Sequence, residues 1–473
     1  MAPAPRPASF LVLAGLILGA SLVLPYGLIQ LSPGIMRTLF PAYAFTVGLL
    51  VMNRWPSAFP AVCVGFCAFV PFLRRVADYQ AGFVQANPIL LGSLVILLPA
   101  LPSLFRRILM PGAPLAGPLA AMVGCLMYGS FLALVGEKVV QALYEPAWYI
   151  LPVALATYVM ERPAELVAIR RSLTQAVLLI MPIMTVYGVL QYISPQPWDI
   201  VWMLNVDNNT FGKPMPYEVR VFSMLNSPGT AGVFTAYAML MLSGGGLIGM
   251  LVAVAALPLL LLTIIRTAWL AVFIGLITIL VVAPATQRLR LVGAFAVGIL
   301  AVVLLVASPA IPVSVKNMIE DRANSFTSLG TDTSANDRRD TYASFYNRLA
   351  ESPLGEGFGA NGSATASVQK RDLPALDSGI LEIFLTFGLP VGMIYMYSLG
   401  AIVLAAWRGM RLSRGALADC FAVLVATLAI MPLGNSIAGE TGGIQWTAIG
   451  LLLTVSAQQA AKPVRAAMLR RAA

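Results

Sequence analysis

Arginine is costly inside a bilayer, and this chain places two of them beside long apolar runs. Arg266 lies in Leu262-Thr-Ile-Ile-Arg-Thr-Ala-Trp269 with no polar loop around it. Arg220 closes a short polar stretch ahead of Val221-Phe-Ser-Met-Leu-Asn-Ser-Pro-Gly229. A guanidinium facing lipid costs on the order of 3 kcal/mol or more, so each must face a cavity, a partner or the membrane edge. For Arg266 the plainer reading is a snorkelling interfacial side chain. Asn226, Ser227, Pro228 and Gly229 inside a helix imply a kink whose freed backbone groups need protein or water, as happens beside a cavity; a purely structural kink reads equally well. Asp377 stands at the mouth of a later apolar span with Glu382 just over one turn deeper. A carboxylate there could act as a general base, although aspartate in that position is more often a helix cap.

The elements that position these groups follow from composition. Hydrophobic residues make up 59% of the 473 residues, charged residues 11%, and the mean hydropathy is +0.84. Those values exclude a soluble domain and predict an all-α, multi-pass integral membrane protein. About 20 apolar residues cross a bilayer as a helix, and such windows number about fourteen, with twelve within counting error. They run approximately over 10–30, 35–52, 56–73, 87–105, 117–136, 146–160, 173–194, 222–242, 246–264, 267–283, 289–308, 378–406, 417–434 and 444–458. The first run is too long for a signal-peptide core and reads as an uncleaved helix.

Alternating these spans puts both termini on the side rich in short-loop arginines, including Arg54, Arg106, Arg107, Arg170, Arg288 and Arg408. That side is expected to be the cytoplasm. The opposite, periplasmic side receives Glu137, Glu145, Asp199, Asp207, Glu218, Glu382 and Glu440. The net charge of +10 thus follows from membrane orientation, and nucleic-acid binding is not expected. Arg74 and Arg75 fall on the periplasmic side, where they are expected to guide anionic glycan or contact lipid headgroups, unless an upstream span is misplaced and they are cytoplasmic. The four cysteines fall within apolar spans, the chain has no histidine, and neither a disulfide nor a metal site is expected.

Three regions result: transmembrane helices over 1–308, a large periplasmic loop over 309–376, and further transmembrane helices with a cytoplasmic tail over 377–473. Within the loop, Tyr342, Phe345, Tyr346 and Leu349 recur at helical spacing behind Ser334, Asn336 and Asp337 as caps. This predicts an amphipathic helix carrying Arg338, Arg339 and Arg348, ended by Pro353 and by Gly355, Gly357 and Gly359. Gly357, Gly359 and Gly362 spell G-x-G-x-x-G, but a helix precedes them and no βαβ unit follows, so a dinucleotide site is rejected.

Together these segments resemble the O-antigen ligase and polymerase superfamily, membrane glycosyltransferases that use undecaprenyl-diphosphate-linked glycans. Arg220 with Phe222 and Asn226-Ser-Pro carries the first part of the resemblance, and Arg266 ahead of a small residue the second. The third is Arg339-x-x-Tyr342 with Pro353-Leu-Gly355-x-Gly357-x-Gly359, continuing into Asp377-Ser-Gly and Gly388. The resemblance covers roughly 220–399 and implies a GT-C-like bundle roofed by the periplasmic loop.

It also implies roles. Arg220, Arg266 and Arg339, with Arg338 as substitute, would bind the diphosphate, since charge-assisted hydrogen bonds of about 1.5–3 kcal/mol each stabilise its developing charge without a metal or other cofactor. Tyr342, Arg348, Arg74 and Arg75 would face glycan or loop. Ligases carry a histidine near the end of this loop and this chain has none, so a polymerase is favoured. Asp377 is then the base, with Glu218 or Glu382 as understudies. The implied partners are an undecaprenyl-diphosphate-linked glycan, an acceptor glycan or lipid, membrane lipids, and a chain-length regulator of the kind a polymerase could take, at the bacterial inner membrane. A ligase using lipid A core, or transfer to protein hydroxyls, keeps the same donor. A lipid-linked glycan flippase or another transporter is the alternative of a different class; the long loop and the lack of a clear internal repeat count against it.

Overall fold

The structure is a computed structural model that describes residues 9–206, 211–307, 342, 345–359, 378–434 and 439–472. The chain is an all-α integral membrane protein. Among the described residues, eight helices are long and apolar enough to cross a membrane: α1 (Phe10–Leu31), α2 (Pro33–Arg54), α3 (Phe59–Ala81), α4 (Pro88–Leu109), α5 (Ala116–Val135), α6 (Val139–Met160), α7 (Pro163–Ile193) and, after the loop, α14 (Gly379–Leu412). A short α8 (Pro197–Asn205) lies between α7 and three shorter apolar helices, α9 (Pro228–Leu242), α10 (Gly246–Leu262) and α11 (Arg266–Val282). Then come α12 (Ala285–Ala307), a short helix α13 over 345–351, and, after α14, α15 (Ala418–Leu433) and α16 (Gly442–Ala472).

The helices keep the order expected for the predicted spans, but several are shorter than their apolar windows. The window 222–242 is helical only from Pro228, because Ser227 accepts a hydrogen bond from Thr230 N and proline at the first helical position is pre-set for helix. The expected kink at Asn226–Gly229 is therefore a helix start. Similarly, Ile264 adopts φ +59° and breaks the chain between α10 and α11, leaving Arg266 as the first residue of α11.

One continuous apolar core runs through the bundle from Leu13 to Leu453. At its centre is α3, buried from Phe59 to Asp78. Helices of the first and last regions share this core, α5 packing on α14 and α6 on α16. The 34 residues of α14 form two helical segments, because φ +72° and ψ 176° at Gly388 interrupt the helix ahead of Pro390.

Opposite the loop, Arg106 pairs with Glu161 at 2.9 Å and Arg170 with the buried Asp419 at 2.8 Å. The four cysteines are buried free thiols.

Candidate functional site

The glycine-rich end of the loop is a docked plug. Residues 353–358 thread between α5 and the interrupted turn of α14, where Glu356 N donates to Leu385 O (2.8 Å), Gly357 N to Thr386 O (3.1 Å), Leu389 N to Pro353 O (2.9 Å) and Phe358 N to Gly129 O (3.2 Å). Backbone groups released by the break at Gly388 are thereby satisfied by the loop, as buried backbone requires. Gly359 N donates to Glu145 Oε2 of α6 at 2.9 Å, closing the plug against a third helix.

Steric room explains the glycines here. Gly357 has φ +75°, and a Cβ on it would lie 2.5 Å from Ala133 N; one on Gly388 would overlap the backbone of Pro353 and Leu354. The Gly357→Ala variant is therefore expected to lose about 2 kcal/mol or more of stability and to release the plug. Thermal unfolding, with limited proteolysis of the loop, checks this.

Helix α13 leans on the same platform. Phe345 is buried with Leu385, and Leu349, Leu381 and Phe384 pack around them. Tyr346, expected on the buried face, is 69% exposed, so the apolar face is carried by Phe345 and Leu349 at i, i+4. Arg348 forms a two-pronged ion pair with Glu356, Nε to Oε1 at 3.1 Å and Nη2 to Oε2 at 2.5 Å, which staples α13 to the plug. Tyr342 OH donates to Pro432 O at 3.4 Å.

The segments that carry Arg220 and Arg266 are joined by a backbone hydrogen bond. Arg220 N donates to Phe211 O, and the next residue, Val221, donates to Leu262 O at 3.0 Å at the end of α10. Four residues further on, Arg266 opens α11, whose start packs on Gly232 of α9 through Ile265 and Ala268. Both arginines are partly buried.

Residues 221–227 are held in turn by a buried network that the sequence reading missed. Gln191 Oε1 accepts from Phe222 N (3.0 Å) and Ser223 N (2.8 Å), while Gln191 Nε2 donates to Asp199 (2.8 Å). Asp199 also accepts from Tyr187 OH at 2.8 Å and pairs with Arg75 at 2.6 Å. Arg75 further donates to Ser223 O at 2.5 Å and lies over the Phe222 ring at 4.7 Å.

Arg74 pairs with Asp78, donates to the carbonyls of Val84 and Gln85, and stacks on Trp202 at 4.4 Å. Both arginines are fully buried. They brace α3 against α8 and the 221–227 segment, whereas surface guidance of glycan would require exposed guanidinium groups.

The carboxylates fall into different surroundings. Glu218 is half-exposed and pairs with Lys213 at 2.8 Å. Glu382 is buried on α14 and accepts from Tyr149 OH at 3.2 Å. Asp377, Arg338, Arg339 and the expected caps Ser334, Asn336 and Asp337 lie outside the described residues. The cap of α14 is Ser378, whose hydroxyl accepts from Leu381 N. Glu440, counted from sequence only among the acids of that side, accepts from Asn226 Nδ2 at 2.8 Å. A sequence signal did exist for Glu145, an ionisable residue within an apolar helix, which marks a functional candidate by default.

Residues 250–396 match the family described as O-antigen ligase, a stretch from within α10 to within α14 that includes Arg266, the plug and Glu382 but not Arg220. No curated protein matches the chain.

Proposed function

We propose, from the match of residues 250–396 to the family described as O-antigen ligase, that this chain is an inverting polymerase of the O-antigen ligase/polymerase superfamily of membrane glycosyltransferases. It joins undecaprenyl-diphosphate-linked repeat units into O-antigen, capsule or exopolysaccharide on the periplasmic face of the bacterial inner membrane, with both termini cytoplasmic. The observation that carries this reading is the hydrogen bond from Val221 N, next to Arg220, to Leu262 O, four residues ahead of Arg266.

In this reading the two arginines, with Arg339 or Arg338 from the loop, hold the diphosphate. Their charge stabilises the leaving group as the anomeric C–O bond breaks, the largest contribution a metal-independent site can supply. A hydroxyl of a second lipid-linked chain attacks from the opposite face, which inverts the anomeric centre. The plug and α13 form the wall against which glycan lies.

Transfer to lipid A core is the second reading, favoured by the ligase description of the matched family. An acceptor competition separates the two. Purified protein given labelled lipid-diphosphate repeat units is expected to yield a ladder of lengthening products without lipid A core. Label appearing only on added lipid A core would make the protein a ligase.

A further inference from the structure

We propose that Glu440 is the group that takes the proton of the attacking hydroxyl, the role that the family resemblance assigned to Asp377; this rests on the glycosyl-transfer reading above. Glu440 lies in the turn just before α16. Its Oε1 is bonded to Asn226, which belongs to the segment that starts next to Arg220 and is joined to Leu262 ahead of Arg266. One short stretch of backbone thus connects the carboxylate to both diphosphate-binding arginines.

The other oxygen, Oε2, is buried and without a hydrogen-bond partner among the described residues, as is Oδ1 of the Asn226 amide bonded to this carboxylate. A buried polar atom left unpaired costs about 1–3 kcal/mol, so two unpaired acceptors on neighbouring side chains mark a position built for a polar guest that donates. A sugar hydroxyl fits, because its O–H donates to Oε2. Surface-paired Glu218 and Tyr149-bonded Glu382 show no such open oxygen.

Among the described residues, the charged and titratable groups that act on Glu440 through space are Cys67, Arg74 and Arg75 of α3 and Tyr144 of α6. Burial pushes the carboxyl up to about 8, against the pull of the Asn226 amide and of Arg74 and Arg75. A base is most effective when it titrates near the working pH. As the acceptor oxygen bonds to the anomeric carbon, its proton passes to Oε2. The C–O bond to phosphate breaks and its electron pair leaves on the lipid diphosphate. Glu440 then returns the proton to water.

Full-length Glu440→Gln, Glu440→Asp and Asp377→Asn proteins, each checked for wild-type elution and unfolding temperature, test this in single-turnover transfer from a lipid-diphosphate glycan across pH. The wild-type rate is expected to climb as pH rises through about 8. Glu440→Gln should lose about 100-fold or more and lose that rise. Glu440→Asp should keep part of the rate with the rise displaced, and Asp377→Asn should keep the rise whatever its rate. A wild-type profile in Glu440→Gln, or its loss only in Asp377→Asn, overturns the assignment. So does a Glu440→Gln protein slowed only through KM with the rise intact. If Glu440→Gln does not fold, Glu440→Asp with an undisplaced rise overturns it equally. Absence of transfer by the wild type overturns the glycosyl-transfer reading and this assignment with it, whereas loss confined to the variants leaves that reading standing.

Discussion

Arg266→Ala is expected to slow transfer from a lipid-diphosphate donor by about 100- to 1,000-fold while leaving the protein folded. Removing one preorganised group that stabilises transition-state charge has an effect of that size. Arg266 is the first residue of α11, and alanine, the best helix former, keeps that helix start. Lysine in its place should restore only part of the rate, since an ammonium keeps the charge but loses the planar fork that grips two phosphate oxygens. Single-turnover rates for the two variants check this. Equal rates for Arg266→Ala and wild type would remove Arg266 from the diphosphate site.

Asp199→Ala is expected to destabilise the protein by about 3–5 kcal/mol, the range for breaking a buried ion pair from one side. Three donors lose their acceptor together, namely Arg75, Tyr187 and Gln191. An unpaired Arg75 then stays inside the bundle beside Ser223 and Phe222. Replacing both partners by apolar side chains, as in Arg75→Met with Asp199→Leu, should recover much of the loss. Thermal unfolding in detergent reads the energies. Transfer activity per folded molecule should also fall in Asp199→Ala, because the same network holds the 221–227 segment behind Arg220.

How much of this was legible in the sequence depends on how local each signal is. The apolar windows and the helix-ending Pro353 are written in consecutive residues, and they carried over. Asn226-Ser-Pro-Gly was recognised as a disturbance, but a kink and a capped helix start use the same residues; only the Ser227–Thr230 hydrogen bond decides between them. Tyr346 matched the helical period yet faces outward, because Phe345 and Leu349 carry the contact with α14.

The misplaced roles are those that depend on long-range partners. Arg75 meets Asp199 across 124 residues, and Asn226 meets Glu440 across 214. No spacing rule reaches so far, so Arg75 read as a surface cation and Glu440 as one acid among several. The signature glycines were legible as a turn, but their reason, close approach to the Ala133 backbone and to the break at Gly388, exists only once α5 and α14 are packed.

The central claim is that this chain breaks the bond between a glycan and a lipid diphosphate. The most direct measurement incubates the purified wild-type protein with a glycan-labelled undecaprenyl-diphosphate donor and an acceptor chain, and quantifies released undecaprenyl diphosphate together with the anomeric configuration of the product. The account predicts one diphosphate released per glycosidic bond formed, with inversion at the anomeric carbon and no release by Arg266→Ala. Donor that remains intact with every acceptor offered, or that crosses the bilayer uncleaved when the protein is placed in vesicles, would contradict it and make the protein a transporter.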